Sequence, residues 1–146
     1  MSQNTSPTLQ ASPYQLKRHA ANPLIQPSDF PGSVAIFNPG QTIYNGKVLL
    51  LLPVQHNSGS FRGRPAAFTG HVATSDDGVH FDINPDPLFE PSTEAPYSIV
   101  TEQCIDYRIT HLDGVYYIIH PGCGPWGTMG ILSRTTDFKT RENLGI

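Results

Sequence analysis

Apolar residues along this 146-residue chain fall in short runs, and no long segment repeats them at helical spacing. The pattern predicts little helix and many short strands. Two runs stand out, Val48–Leu52 and Val115–Ile119. Each follows a two-residue turn signal, Asn45-Gly46 in one case and Asp113-Gly114 in the other. Asn-Gly and Asp-Gly between apolar runs mark tight β-hairpins, because the central residues must take positive φ.

The two hairpins belong to an internal repeat. Asn38 stands eight residues before Gly46, and Asp106 stands eight before Gly114, so positions 46 and 114 define a period of 68. A second matching signal follows in each unit: Thr74-Ser75-Asp76-Asp77-Gly78-Val79-His80-Phe81 resembles Ser133-Arg134-Thr135-Thr136-Asp137-Phe138, with a different spacing. The first unit reads as four strands near Asn38–Tyr44, Lys47–Gln55, Gly70–Ser75 and Val79–Ile83. The second reads as Asp106–Leu112, Val115–His120 and Met129–Arg134, stopping during or before its fourth strand. Repeated four-stranded antiparallel units are the blades of a β-propeller, which needs about four or more to close. With fewer than two units here, the chain is expected to be the front part of a longer protein; the alternative is a small two-sheet sandwich. Residues 1–12 are expected to form a loose polar tail and 13–146 the propeller part, entered through a lead-in with Pro23, Pro27 and Pro31.

Composition narrows the classes. Charged residues make up 14%, against roughly 25% in an average soluble protein, while 13 Gly and 14 Pro support many turns. A net charge of −3 gives no reason to expect a nucleic-acid partner. The longest apolar run is far shorter than the ~20 residues a bilayer-crossing helix needs, so no membrane partner is expected. No secretory signal is visible at the N-terminus. Cys104 and Cys123 make neither a disulfide framework nor a zinc ligand set, and read as thiols of a cytoplasmic protein. No histidine pair has metal-ligand spacing with a carboxylate, so no metal is expected; His71 and His80 read as blade-surface residues.

In an up-and-down blade the first strands start at the same end of the disc. Asn38 and Asp106 should therefore share that end with the connections 55–69 and 121–128. Candidate site residues follow: Asn38, Arg62, Arg64, Asp106, Arg108, His120 and Trp126, and Tyr107 is counted with them as a substrate residue. Asp106 stands among Cys104, Ile105, Tyr107 and Ile109, an apolar setting that would make a carboxyl hold its proton more tightly. Such a group can donate a proton near neutral pH. The competing reading is a strand-end Asp bonded to backbone amides or to Arg108. Arg62 and Arg64, in a Gly-rich stretch, are either anion or sugar ligands or ordinary surface arginines. Trp126 either stacks on a sugar ring or anchors its loop. His120 ends a strand as a ligand or as a plain structural residue.

These residues carry a resemblance to a known family. Phe37-Asn38-Pro39-Gly40, Gly46-Lys47-Val48-Leu49-Leu50-Leu51, Ala73 to Phe81, and Asp106-Tyr107-Arg108-Ile109-Thr110 with Gly114-Val115-Tyr116-Tyr117-Ile118 resemble glycoside hydrolase family 130. This family holds β-mannoside phosphorylases and β-1,2-mannosidases. The resemblance covers about Lys17 to the end and implies a five-bladed propeller, of which this chain is similar to the first two-fifths. It implies that Asp106 matches the catalytic aspartate of an E-D-P-R motif and that Asn38 lies near the mannose subsite. In such phosphorylases the acid passes its proton through a mannose hydroxyl to the glycosidic oxygen. Inorganic phosphate then attacks with inversion; in hydrolytic members water takes its place. The implied partner is a β-mannoside oligosaccharide, with phosphate as co-substrate and no bound cofactor; a homo-oligomer of the full-length protein is compatible with this. The motif departs here, reading Ile105-Asp106-Tyr107-Arg108, so the family's Glu and Pro are replaced. Two further expectations stand beside the enzyme: a non-catalytic sugar-binding propeller, and an isolated 146-residue chain that is inactive and poorly soluble.

Overall fold

The computed structural model describes residues 16–56 and 67–146. The described part is all-β, apart from a 3-10 turn at Pro27–Asp29 in the lead-in. Its strands form two sheets. The first contains β1 (Ala35–Ile36), β2 (Gly40–Tyr44), β3 (Lys47–Gln55), β4 (Phe68–Ser75) and β5 (Asp82–Phe89). The second contains β6 (Thr101–Glu102), β7 (Arg108–Leu112), β8 (Val115–Gly124), β9 (Gly127–Thr135) and β10 (Glu142–Gly145). The proposed tail, residues 1–12, lies outside the described residues.

Both hairpins form where the turn chemistry puts them. Tyr44 pairs with Lys47 and Leu112 with Val115, closing two-residue turns. Asn45 and Gly46 take φ of 50° and 78°, and Asp113 and Gly114 take 49° and 78°. This is the mirror-image turn that matches strand twist.

The first strand of each unit is interrupted, which corrects the expected strands Asn38–Tyr44 and Asp106–Leu112. β1 and β2 pair along the same edge of β3, and β6 and β7 along the same edge of β8. Asn38 sits in the first break with φ 45° and Asp106 in the second with φ 52°. A left-handed residue cannot continue an extended ladder, so each strand stops and resumes around it. The fourth strand of the first unit begins at Asp82 rather than Val79. Val79 and His80 are held in a turn by the Asp77 carboxylate, which accepts both their amides at 2.8 Å. Asp137 accepts the amides of Lys139 and Thr140 in the same way. The second unit's fourth strand is present as the short β10.

Strand alternation gives each sheet two apolar faces. Leu49, Leu51, Phe68 and Val72 of the first sheet pack with Tyr107, Tyr116, Ile118 and Phe138 of the second in the main core. On the other face of the first sheet, Leu52, Val54 and Ala73 are covered by Ile25 and Phe30 of the lead-in. Under the 68-residue repeat, Leu49 and Leu51 correspond to Tyr117 and Ile119, not to Tyr116 and Ile118. The two sheets therefore meet through non-equivalent faces, head to tail. Tyr116 Oη donates to the carbonyl of Ile43 at 3.0 Å, tying the two hairpins together.

His71 is a further correction, because it is buried on the lead-in side of β4. Phe30 covers its ring at 4.4 Å between centroids. Nδ1 donates to the carbonyl of Asn84 (3.1 Å), and Nε2 accepts from Thr69 Oγ1 (2.7 Å). His80 is exposed as expected and pairs with Asp77.

Candidate functional site

The two breaks bring Asn38 and Asp106 together. Asn38 Nδ2 donates to Asp106 Oδ1 at 2.8 Å, across the boundary between the sheets. Positive φ explains the residue types, since Asn and Asp tolerate this conformation far better than bulkier residues do. Close approach of the backbones makes the contact reachable. β2 runs so near β7 that a methyl group placed on Gly40 would lie 2.8 Å from Tyr107 Cβ.

Asp106 differs from the expected apolar setting. Cys104, Ile105 and Tyr107 are buried, but the left-handed turn at 106 leaves the Asp106 carboxylate half-exposed, facing Asn38. Arg108 does not pair with that carboxylate in the described contacts. Its Nη1 donates to the backbone carbonyls of Asp106 and Tyr107, both at 3.1 Å, and so braces the break from outside.

Asp106 and Arg108 open onto a cleft of about 330 Å³, also lined by Ile119, His120, Pro121, Thr128, Met129 and Gly130. Asp106 is the one carboxylate among the described residues of this lining. His120 is only 2% exposed. Its Nδ1 donates to the Gln103 carbonyl at 3.1 Å, and its ring packs edge-on to Phe89. It walls the cleft from the core side.

Tyr107 turns the opposite way, which corrects its reading as a substrate residue. It is fully buried, packed on Phe89 (4.9 Å) and His120 (5.6 Å). Alternation along the chain sends 107 inward once 106 and 108 face out. Trp126 is 77% exposed at the tip of the β8–β9 hairpin, closed by the Gly124–Gly127 pair, and it is not part of the cleft lining. The expected connection 121–128 is largely strand, because β8 runs on to Gly124. Arg62 and Arg64 lie outside the described residues.

Sequence reasoning missed Gln103 and Met129, and reached Thr128 only as the end of the connection 121–128. Gln103 holds the His120 ring through its carbonyl, and its Nε2 donates to Cys123 Sγ at 3.2 Å. Only the tight pairing of β8 with β9 brings Thr128 and Met129 to the cleft, and no local motif marks them. Among the described residues, no group of three or more His, Cys, Asp or Glu side chains could hold a metal ion. Cys104 is buried, Cys123 is partly buried, and no disulfide joins them. No helix among the described residues is long and apolar enough to cross a membrane.

No family model matches the chain. It is 27% identical to the β-1,4-mannooligosaccharide phosphorylase of Ruminococcus albus, over 84% of this chain and 36% of that protein. The β-1,2-mannobiose phosphorylase of Listeria innocua, solved with β-1,2-mannobiose, has a similar fold. Its TM-score is 0.72 at 23% identity, covering 88% of this chain and 50% of that one. A structure from the GH130 family of mannoside phosphorylases, which contains glycoside hydrolases targeting β-1,2-mannosidic linkages in Candida mannan, gives a TM-score of 0.70 at 22% identity. That match covers 88% of this chain and 40% of that one. The chain is thus homologous to the GH130 β-mannoside phosphorylases and mannosidases and spans about a third to a half of their length.

Proposed function

We propose that this GH130 homologue supplies the proton donor of a β-mannoside-cleaving enzyme, and that the donor is Asp106. The observation that carries the reading is the Asn38–Asp106 pair. Two equivalent breaks in neighbouring sheets turn an amide and a carboxyl toward each other at the mouth of a cleft large enough for a sugar residue.

In the proposed reaction Asp106 gives its proton toward the glycosidic oxygen, through a hydroxyl of the mannose. The glycosidic C–O bond breaks, and its electrons leave with that oxygen. Phosphate or water attacks the anomeric carbon from the opposite face, with inversion. Asp106 is the one carboxylate among the described cleft residues, so the groups that bind phosphate or activate water are assigned to other parts of the whole protein. A five-bladed propeller fits this arrangement. Head-to-tail packing leaves Ile119 and Leu132 on the outer face of the second sheet 45% and 37% exposed. That face corresponds to the one by which the first sheet packs on the second. A heterologous contact of this kind closes into a ring when its rotation permits.

The test is Asp106→Asn in the intact protein, assayed on β-linked mannobiose with and without inorganic phosphate. Turnover should vanish while the fold persists, and dependence on phosphate separates phosphorolysis from hydrolysis. Retained turnover removes Asp106 from the mechanism. A second reading, a sugar-binding module without catalysis, draws on the altered Ile105-Asp106-Tyr107-Arg108 motif and on the exposed Trp126. Calorimetric binding of a mannoside without any turnover would favour it.

A further inference from the structure

We infer that Asn38 is a positioning residue that fixes which oxygen of Asp106 carries the transferable proton. The inference rests on the proposed acid role of Asp106 and goes beyond sugar contact by Asn38.

An amide nitrogen has only hydrogens to offer, so in the Asn38–Asp106 bond Oδ1 must be the acceptor. In the acid form Oδ1 is then the carbonyl oxygen, and the proton sits on Oδ2. As that O–H bond breaks and the proton passes to the sugar, the electron pair stays on the carboxylate. The Asn38 bond becomes charge-assisted and strengthens at that moment. It therefore stabilises the group more after proton release than before, which is the condition for accelerating the step.

The residue choice at 38 follows by elimination. Position 38 holds φ of 45°, which restricts it chiefly to Gly, Asn or Asp. Glycine would leave Oδ1 without this donor. Aspartate would set two carboxyls against each other. Of these three, asparagine is the one that supplies a neutral donor. The other polar groups around Asp106 leave this role to Asn38. On β7, the Arg108 guanidinium donates to the carbonyls of residues 106 and 107. On β8, His120 Nδ1 is engaged by Gln103. The cleft residues of β9, Thr128, Met129 and Gly130, carry no charge.

Two variants that keep the backbone angle test this in the intact protein. Asn38→Gly should lower kcat on β-linked mannobiose by roughly ten- to hundredfold, the loss expected for a hydrogen bond to a charged group, with KM little changed. Asn38→Asp creates a carboxyl pair that shares one proton. The pair should titrate in two separated steps, visible in the Asp106 13C-carboxyl resonance, and the alkaline limb of the kcat profile should move up with the upper step. An Asp106 titration unmoved in Asn38→Asp overturns the inference, as does a rise in KM with kcat intact in Asn38→Gly, the mark of a plain sugar contact. Turnover retained in Asp106→Asn instead overturns the acid assignment beneath it, whatever the titration of the Asn38 variants shows.

Discussion

Replacing Gly40 by alanine probes the contact that holds the two sheets in register. A methyl group there would lie 2.8 Å from Tyr107 Cβ, 3.1 Å from the Tyr107 carbonyl oxygen and 3.2 Å from Ile109 Cγ1. Carbon atoms pack at about 3.5–4.0 Å, so β2 and β7 must part by several tenths of an ångström. Two of the three obstructing atoms are at or next to the backbone and cannot swing aside. Overpacking of this kind costs about 1–3 kcal/mol. Gly40 is not in the left-handed region, so alanine gains back about 0.4–1 kcal/mol through the stiffer unfolded chain. The net expectation is a loss of about 1–2 kcal/mol, read as a lower denaturation midpoint at unchanged slope. Gly145→Ala is the matched control, since nothing lies within 4 Å of its added methyl; it should be neutral or slightly stabilising. The strain in Gly40→Ala falls two residues after Asn38 and, at Tyr107, one residue after Asp106, so any activity should drop in parallel. A Gly40→Ala midpoint equal to that of Gly145→Ala would refute the close-packed boundary and the site geometry built on it.

Further expectations concern the core, pH and the surface. Leu51→Ala removes a fully buried side chain from the main core and should cost about 2–5 kcal/mol in chemical denaturation. Burial pushes His71 below its ordinary value of 6.5, with the His56 ring a smaller contribution in the same direction. A lowered histidine favours the neutral form in the fold, so its stabilisation is complete above pH 6.5 and is lost as pH falls below that value toward the lowered one. Denaturation midpoints at pH 7.5 and 5 should therefore differ more in the wild type than in His71→Gln; equal differences would contradict the buried neutral ring. The Asp77 carboxyl is held well below the usual range by His80 and the turn amides. Asp77→Ala should lower stability near neutral pH, and the deficit should close only in strong acid, as seen in circular dichroism melts. Trp126→Ala should leave the melting curve nearly unchanged, because the ring is 77% exposed, and should weaken mannoside binding if that ring stacks on sugar.

Local chemistry determined much of this protein from its sequence alone. Asn45-Gly46 and Asp113-Gly114 specify their hairpins because few residues accept positive φ, and β3 runs over the expected Lys47–Gln55 for that reason. The 68-residue repeat put Asn38 and Asp106 at equivalent places, and their side chains do meet. The tertiary structure decided the rest, because alternation along a strand tells which residues share a face but not which face another sheet will cover. Tyr107, His120 and His71 read as surface or site residues from the sequence and are buried, since Phe89 of the first sheet packs on the first two and Phe30 of the lead-in covers the third. The breaks at 38 and 106 were equally hidden. Asn and Asp permit a left-handed backbone without requiring it, and only the approach of β2 to β7 turns that permission into an amide facing a carboxylate.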